Sequence, residues 1–244
     1  MYLSNAFKLI RNVGIVVLFV WVADATADVR IRQLFQTDAV EIMGQVMPAT
    51  HDTNTIWLSE NNARLDAGDT AAMILLGDVG KLVQLDHTNK QYSEIVLGEI
   101  AESTDPQMKQ MLSMLTMTVV VSPTGDKQKI GEWNCHKYII EKKMGMMQSS
   151  TEVWATGDIE INTEVYHKIL NSLMAYMPDY ENAIKQFGKI KGLTVKETTT
   201  TEVMGQTMRS SSELVDVEKE DAPKDAFTIP EGYTQVAMPM PGGH

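Results

Sequence analysis

Methionines at a regular spacing are the first candidates for a metal site in this sequence. The sequence holds 17 methionines, and four of them repeat every three residues, at Met108, Met111, Met114 and Met117. Soft thioethers are ligands that Cu(I) prefers. On a helix, however, each three-residue step turns the side chain by about 300°, so the four sulfurs spread around the helix instead of converging on one ion. A methionine-rich copper-binding protein is therefore only the third interpretation, and no metal site is predicted.

The single cysteine is the next candidate for chemistry. Cys135 and His136 are adjacent in a segment typical of a strand, so their side chains point to opposite faces and cannot form a nucleophile–base pair. An inert, buried thiol is the better interpretation of Cys135. Glu164 and His167 form one Glu-x-x-His pair, whereas a di-iron carboxylate site needs two such pairs. Since hydrolase, phosphate-loop and dinucleotide motifs are also absent, the sequence predicts a non-enzymatic protein without a cofactor.

The first 27 residues have the features of a secretory signal peptide. Lys8 and Arg11 precede an apolar run over residues 13–22, and Ala25-Thr26-Ala27 matches the small-residue cleavage pattern. The run is shorter than the roughly 20 apolar residues that a membrane-spanning helix needs. We therefore expect a mature chain of residues 28–244 that is periplasmic or secreted and is not an integral membrane protein.

The charge of the chain limits its partners. The formal net charge is −11, and the segment 1–27 carries Lys8, Arg11 and Asp24, a net +1, so the mature chain would carry −11 − 1 = −12. Such an acidic protein repels nucleic acids and anionic membrane surfaces. With Cys135 alone, no intrachain disulfide can form.

Three Met-Gly dipeptides predict tight turns between strands. Gly44, Gly145 and Gly205 each lie between segments with strand-like alternation, and glycine reaches positive φ without a steric penalty. Further short runs separated by turn residues predict strands over residues 54–59, 63–66, 71–76, 81–86, 91–96, 193–203 and 206–217. Residues 30–41 show only a mixed pattern. The sequence thus predicts an antiparallel meander.

Two segments have a helical pattern instead. One begins at Asp105-Pro106, an N-cap followed by proline at the first helical position, and its apolar residues recur at helical spacing. The other covers residues 163–187 and contains Pro178, which predicts a kink or break. Residues 235–244 are expected to form a disordered tail.

Several motifs are spread along the chain and form one set. They are Trp57, Ala63-Arg-Leu-Asp66, Leu85-Asp-His-Thr-Asn-Lys-Gln-Tyr92, Gly131-Glu-Trp-Asn-Cys-His-Lys-Tyr138, Glu152-Val-Trp154, Gly192-Leu-Thr-Val-Lys-Glu197 and Phe227-Thr-Ile-Pro-Glu-Gly-Tyr233. Together they resemble an exported bacterial family known only as a domain of unknown function and grouped with the LolA-like periplasmic carriers. The resemblance implies a mainly β (α+β) fold in a single domain, residues 28–234. It implies a curved antiparallel half-barrel whose concave face two or three helices cover. In the known carriers that concavity holds acyl chains.

The resulting hypothesis is a soluble, exported carrier for a lipid, an acyl chain or a lipidated protein segment. We expect the ligand to contact apolar side chains on strands and helices. The wall of the site is predicted to consist of Trp57, Trp133 and Trp154. The helices that cover it are predicted to contribute Met108, Met111, Leu115, Leu173 and Met177. Met144 is expected to lie at an exposed apolar rim or to pack under a helix. The alternative is a non-enzymatic envelope interaction or structural protein, in which the concave face is filled and an outer face or edge strand recruits a partner.

Overall fold

The protein is mainly β, as the computed structural model shows. The structure describes residues 28–42, 45–102, 117–144, 147–159, 180–203 and 205–237. The strands are β1 (Val29–Thr37), β2 (Val40–Ile42), β3 (Gln45–Met47), β4 (Thr50–Leu58), β5 (Asn62–Ala67), β6 (Ala71–Leu76), β7 (Lys81–Asp86), β8 (Gln91–Val96), β9 (Met117–Ile130), β10 (Trp133–Met144), β11 (Met147–Thr156), β12 (Leu193–Val203), β13 (Gln206–Lys219) and β14 (Thr234–Gln235). The helices of the described part are α1 (Leu97–Glu102) and α2 (Tyr180–Phe187).

Twelve of these strands form one open sheet in the order β14-β8-β7-β6-β5-β4-β1-β13-β12-β11-β10-β9. Neighbouring strands are antiparallel except β14, which pairs parallel to β8, so the sheet is mixed at that edge. β2 and β3 form a separate two-stranded ribbon. Among the described residues, no helix is long and apolar enough to cross a membrane.

The predicted hairpins are confirmed by the strand register. Met144 pairs with Met147, Val203 with Gln206, and Ile42 with Gln45. Gly205 has a φ of 77°, the left-handed conformation that favours glycine in a tight turn. Gly44 and Gly145 lie outside the described residues.

The strand at the centre of the sheet was not predicted. β1 pairs with β13 on one side and with β4 on the other, and thereby joins the two halves of the sheet. Its sequence looks mixed because only one face is apolar. Val29 and Ile31 are buried, whereas Arg30 and Arg32 point to the other face and pair with carboxylates of the C-terminal part of the chain. Alternation was therefore present, but arginines occupied the positions between the apolar residues.

The helical predictions are tested only at their edges. The helix expected from Asp105 lies among residues 103–116, which the structure does not describe, while α1 ends just before them and was not predicted. For the second helix, α2 forms the last part of the predicted range, and residues 160–179 lie outside the description. Gln235, at the start of the expected tail, belongs to β14; residues 238–244 lie outside as well.

Three groups of buried side chains form the core. The central cluster contains Val29, Ile31, Leu58, Leu75, Cys135, Leu193, Val195 and Leu214. The helix cluster, on which α2 packs, contains Val119, Val121, Tyr138, Ile140, Val153, Ala155 and Ala183. The strap cluster contains Ala72, Ile74, Val83 and Leu85. Phe227, Ile229 and Tyr233 pack on the strap cluster, so residues 220–237, here called the C-terminal strap, cover one face of β6 and β7.

Candidate functional site

Trp57 lies on the face of β4 that is opposite to the central cluster. Its neighbours Leu58 and Ile56 belong to that cluster or pack against it, and side chains alternate along a strand. Trp57 pairs across the sheet with Arg30 on β1 and with Arg64 on β5. A half-buried tryptophan is thus held between two arginines near the middle of the sheet.

Two adjacent clefts meet at Trp57. The larger has a volume of about 620 Å³ and lies between the sheet and the strap. The smaller has a volume of about 540 Å³ and opens toward β1 and the β5–β6 turn. Trp57 and Asp66 border both clefts, and we call the combined depression the Trp57 groove. The larger cleft is also lined by Arg64, Pro223, Asp225, Ala226, Thr228, Ile229, Pro230 and Glu231, and the smaller by Arg32, Thr53, Thr55, Gly68, Asp69 and His87.

Arg64 connects the floor of the groove to its wall. Its Nε donates to both carboxylate oxygens of Asp66, at 2.8 and 3.0 Å, and its Nη2 lies 2.7 Å from Asp66 Oδ1. Its Nη1 donates to the carbonyl oxygen of Ala226 at 2.9 Å. The side chain therefore fixes the strap against β5, and its charge is matched by Asp66.

The remaining arginines of this face are also paired. Arg32 Nε donates to both oxygens of Asp216, and Arg32 Nη2 forms an ion pair with the same carboxylate. The hydrogen bond from Arg32 holds the pKa of Asp216 below its ordinary value. Arg30 lies 6.0 Å from the centre of the Trp57 ring and pairs with Glu218 at 2.6 Å and with Glu220 at 3.0 Å. The guanidinium groups beside the groove thus already have carboxylate partners.

Trp133 and Trp154 have a different environment, because both pack against the central cluster. Trp154 Nε1 donates to Glu152 Oε1 at 2.9 Å, and Lys137 Nζ lies 5.5 Å from the centre of the Trp154 ring. Lys137 also pairs with Glu152 at 2.8 Å, and the hydrogen bonds from Lys137 and Trp154 lower the pKa of Glu152. The structure therefore brings Trp133 and Trp154 to the same apolar layer, while Trp57 lies apart from them.

Cys135 is buried in the central cluster, with only 1% of its surface exposed. Burial raises the pKa of its thiol, which disfavours the reactive thiolate. The adjacent His136 is exposed, as the alternation predicts. Within the described ranges, no group of three or more His, Cys, Asp or Glu side chains could hold a metal ion. The prediction of a buried thiol is confirmed.

A half-buried carboxyl group on β12 was missed in the sequence. Glu197 lies across from Val153 and Ser212, and desolvation raises its pKa, although Lys142 acts in the opposite direction. Both of these cross-strand neighbours are buried, so its carboxyl lies on a buried face of β12. The buried apolar residues Leu193 and Val195, four and two positions before it, were the available signal in the sequence.

The other predicted ligand-binding residues are not described. Met108, Met111, Leu115, Leu173 and Met177 lie in the ranges 103–116 and 160–179. Met144 is the last residue of β10, and only its backbone pairing with Met147 is described. The predicted helical cover therefore stays a prediction.

Comparison with known protein families assigns the chain. The model of a family described as a domain of unknown function (DUF4412) matches residues 40–233. This range includes all strands from β2 to β13 and most of the strap. A comparison with curated proteins gives no match. Because the family model covers most of the sequence, this chain belongs to the DUF4412 family.

Proposed function

We propose that this protein is an exported, non-enzymatic carrier with a LolA-like half-barrel that holds a lipid, an acyl chain or a lipidated protein segment. The observation that carries the proposal is the central cluster, whose residues come from six strands, β1, β4, β6, β10, β12 and β13. These strands lie across most of an open sheet. An apolar layer of this breadth needs a cover that excludes water, and a ligand that enters beneath such a cover gains from the same burial.

One described helix, α1, packs on this apolar layer, and the other, α2, packs on the separate helix cluster. Leu97 of α1 packs against the central cluster, and Ala183, Ile184 and Phe187 of α2 belong to or pack against the helix cluster. In the sequence, α1 directly precedes residues 103–116 and α2 directly follows residues 160–179. These two ranges contain Met108, Met111, Leu115, Leu173 and Met177, so we propose that they complete the cover.

A fluorescent fatty acid tests this proposal in solution. We expect saturable binding to the exported chain and displacement by unlabelled palmitate. Met111→Glu and Met177→Glu should each weaken binding about tenfold or more, because a buried large apolar group contributes about 1.5–3 kcal/mol and 1.4 kcal/mol is a factor of ten. Val79→Glu is the matched control, since Val79 lies in a turn and is 58% exposed. Absence of saturable binding, or an equal loss of binding and stability in both methionine variants, would contradict the proposal.

The second candidate is an envelope interaction protein with a filled core. The specific observation in its favour is that the central cluster is already covered, since Ile31, Cys135 and Val195 are each at most 3% exposed. Its partner would not add a strand at Val121 of the edge strand β9, because α2 and the turn that follows it already occupy that position. Gln186 Oε1 accepts a hydrogen bond from Val121 N and Lys189 Nζ donates to Val121 O, both at 3.0 Å. We expect the partner to bind another face of the protein. A pull-down should then recover this partner, while the same protein shows no saturable binding of the fatty acid.

A further inference from the structure

We propose that the Trp57 groove is a binding site for a neutral saccharide. The site is separate from the proposed apolar ligand, because Trp57 and the central cluster lie on opposite faces of β4. The inference therefore does not depend on the carrier function. It rests on the dimensions of the groove, the pairing of its charges and the position of its aromatic side chain.

The groove has the dimensions and rigidity of a ligand site. Ligand pockets usually have volumes of roughly 300–1,000 Å³, and the two clefts measure about 620 and 540 Å³. Its floor is formed by β1, β4 and β5, which are inner strands of the sheet. Its wall is the strap, which Arg64 holds at Ala226 and which Asp28 holds through the backbone N–H groups of Glu220 and Ala222. A site on such elements is preformed.

The pairing of the arginines argues against an anionic ligand. Arg64 and Arg32 each bind a carboxylate of the chain through more than one hydrogen bond. A phosphate or carboxylate ligand would have to displace Asp66 or Asp216, and it would meet further negative charges at Asp225 and Glu231. Electrostatic repulsion therefore opposes anions.

The same arginines argue against a cationic ligand at the tryptophan. Arg30 lies near the Trp57 ring at 6.0 Å and provides the cation–π contact from within the chain. Arg64 is the cross-strand neighbour of Trp57 on the other side. A second cation at the ring would be placed close to two guanidinium groups. The floor of the groove thus disfavours ligands of either charge.

A purely apolar chain does not fit either. It would cover the Arg64–Asp66 pair and the carboxyl groups at the rim without offering hydrogen bonds to them. Removing such groups from water without a hydrogen-bonding partner is strongly unfavourable. The part of the ligand that contacts the Trp57 ring must therefore carry many hydrogen-bonding groups and no net charge.

A saccharide meets these conditions. The C–H groups of a sugar ring can pack on an indole ring, while its hydroxyl groups lie at the edge and both donate and accept. Here Trp57 offers the indole, Asp66, Asp225 and Glu231 offer acceptors, and Thr55 and Thr228 offer hydroxyl groups. The Arg64 and Asp66 side chains hold each other in place, and each can still form a further hydrogen bond to a sugar hydroxyl.

A glycan array followed by titration tests the site. The exported chain is applied to an array of neutral, sialylated and sulfated glycans, and the best neutral oligosaccharide is then titrated by calorimetry. We expect saturable binding of a neutral glycan whose Kd changes little between 50 and 500 mM salt, because no net charge is neutralised. Trp57→Ala should weaken it at least tenfold, and Trp57→Phe should restore part of the loss.

Controls separate this site from the fold and from the carrier. Trp154→Phe should bind as the unchanged chain does, because Trp154 packs against the central cluster. Asp225→Asn, an exposed change on the strap, tests the site if Trp57→Ala fails to fold, and it should weaken binding severalfold. Binding of anionic glycans alone, binding unaffected by Trp57→Ala and Asp225→Asn, or no glycan binding would each overturn the proposal. Uptake of the fluorescent fatty acid by the same samples reports on the carrier function separately.

Discussion

Trp57 and Trp154 are both half-buried tryptophans on inner strands of one sheet, each with a cation near its ring. Arg30 lies 6.0 Å from the Trp57 ring and Lys137 Nζ lies 5.5 Å from the Trp154 ring. Trp154 nevertheless packs against the central cluster, whereas Trp57 borders two clefts on the opposite side of its strand. Residue type and local partners therefore do not decide the role of an aromatic side chain in this sheet. Its role depends on which other segments of the chain pack on that face of the strand.

The largest expected difference between the central cluster and the Trp57 groove concerns a glycine beside each of them. Gly192 has a φ of 85°, and a Cβ there would lie 1.8 Å from the carbonyl oxygen of Thr156, the last residue of β11. Gly68 beside the Trp57 groove has a φ of 55°, but its nearest neighbour would be the flexible Asp52 side chain at 3.5 Å. We expect Gly192→Ala to lower the free energy of unfolding by at least about 3 kcal/mol or to prevent folding.

Gly68→Ala is the matched control for that change. It should lower the free energy of unfolding by only about 1–2 kcal/mol, because the alanine must adopt the left-handed backbone conformation. Urea denaturation of both variants measures the difference. Equal losses of stability would show that the close approach at Gly192 is not what makes a glycine necessary there.

The second difference concerns the tryptophans themselves. Trp154→Ala removes an indole that packs on the central cluster and leaves Glu152 without one hydrogen-bond donor. We expect it to cost roughly 2–3 kcal/mol, and Trp57→Ala to cost clearly less, about 1 kcal/mol, because one side of Trp57 faces open clefts. Thermal and urea denaturation compare the two, and the reverse order would contradict our assignment of Trp57 to a surface groove.

The smallest difference concerns two carboxyl groups and has opposite signs in the two regions. On β12, burial raises the pKa of Glu197, so its ionisation opposes folding at pH values above its ordinary pKa of 4.5. Glu197→Gln should therefore raise the melting temperature slightly at pH 7 and leave it unchanged at pH 4. On the Trp57 face, Arg32 lowers the pKa of Asp216, so the ionised form stabilises the fold.

Asp216→Asn should consequently lower the melting temperature at pH 7, and the loss should shrink as the pH falls below 3.8, where the unfolded chain is protonated. Glu202→Gln, the same substitution at an exposed glutamate on the same strand, serves as the matched control for Glu197→Gln. If Glu197→Gln and Asp216→Asn changed the melting temperature in the same direction at pH 7, the proposed difference between the two carboxyl groups would be wrong.

The local parts of this fold could be predicted from the sequence, because each depends on neighbouring residues. Turn glycines fixed the hairpins that end in the Met144–Met147 and Val203–Gln206 pairs, and simple alternation identified Cys135 as buried. β1 was missed because Arg30 and Arg32 stand between its apolar residues, and their carboxylate partners lie 188 and 184 positions away.

The Trp57 groove could not be predicted for the same reason. Its wall exists only because Arg64 binds Ala226, 162 residues further along the chain, and because Phe227, Ile229 and Tyr233 bury their side chains on β6 and β7. The sequence does identify Trp57 as a notable residue. It contains no local signal for the segment that turns this position into a cleft.

The decisive measurement is native mass spectrometry of the chain, purified without detergent from the cells that produce it. It tests whether the apolar layer formed by the central cluster holds an apolar ligand. We predict a complex with a lipid or acyl-chain mass in addition to the chain mass, and loss of that extra mass when palmitate is added in excess. A chain mass alone, both after purification and after incubation with lipid and fatty acid, would contradict the claim and would favour the interaction protein with a filled core.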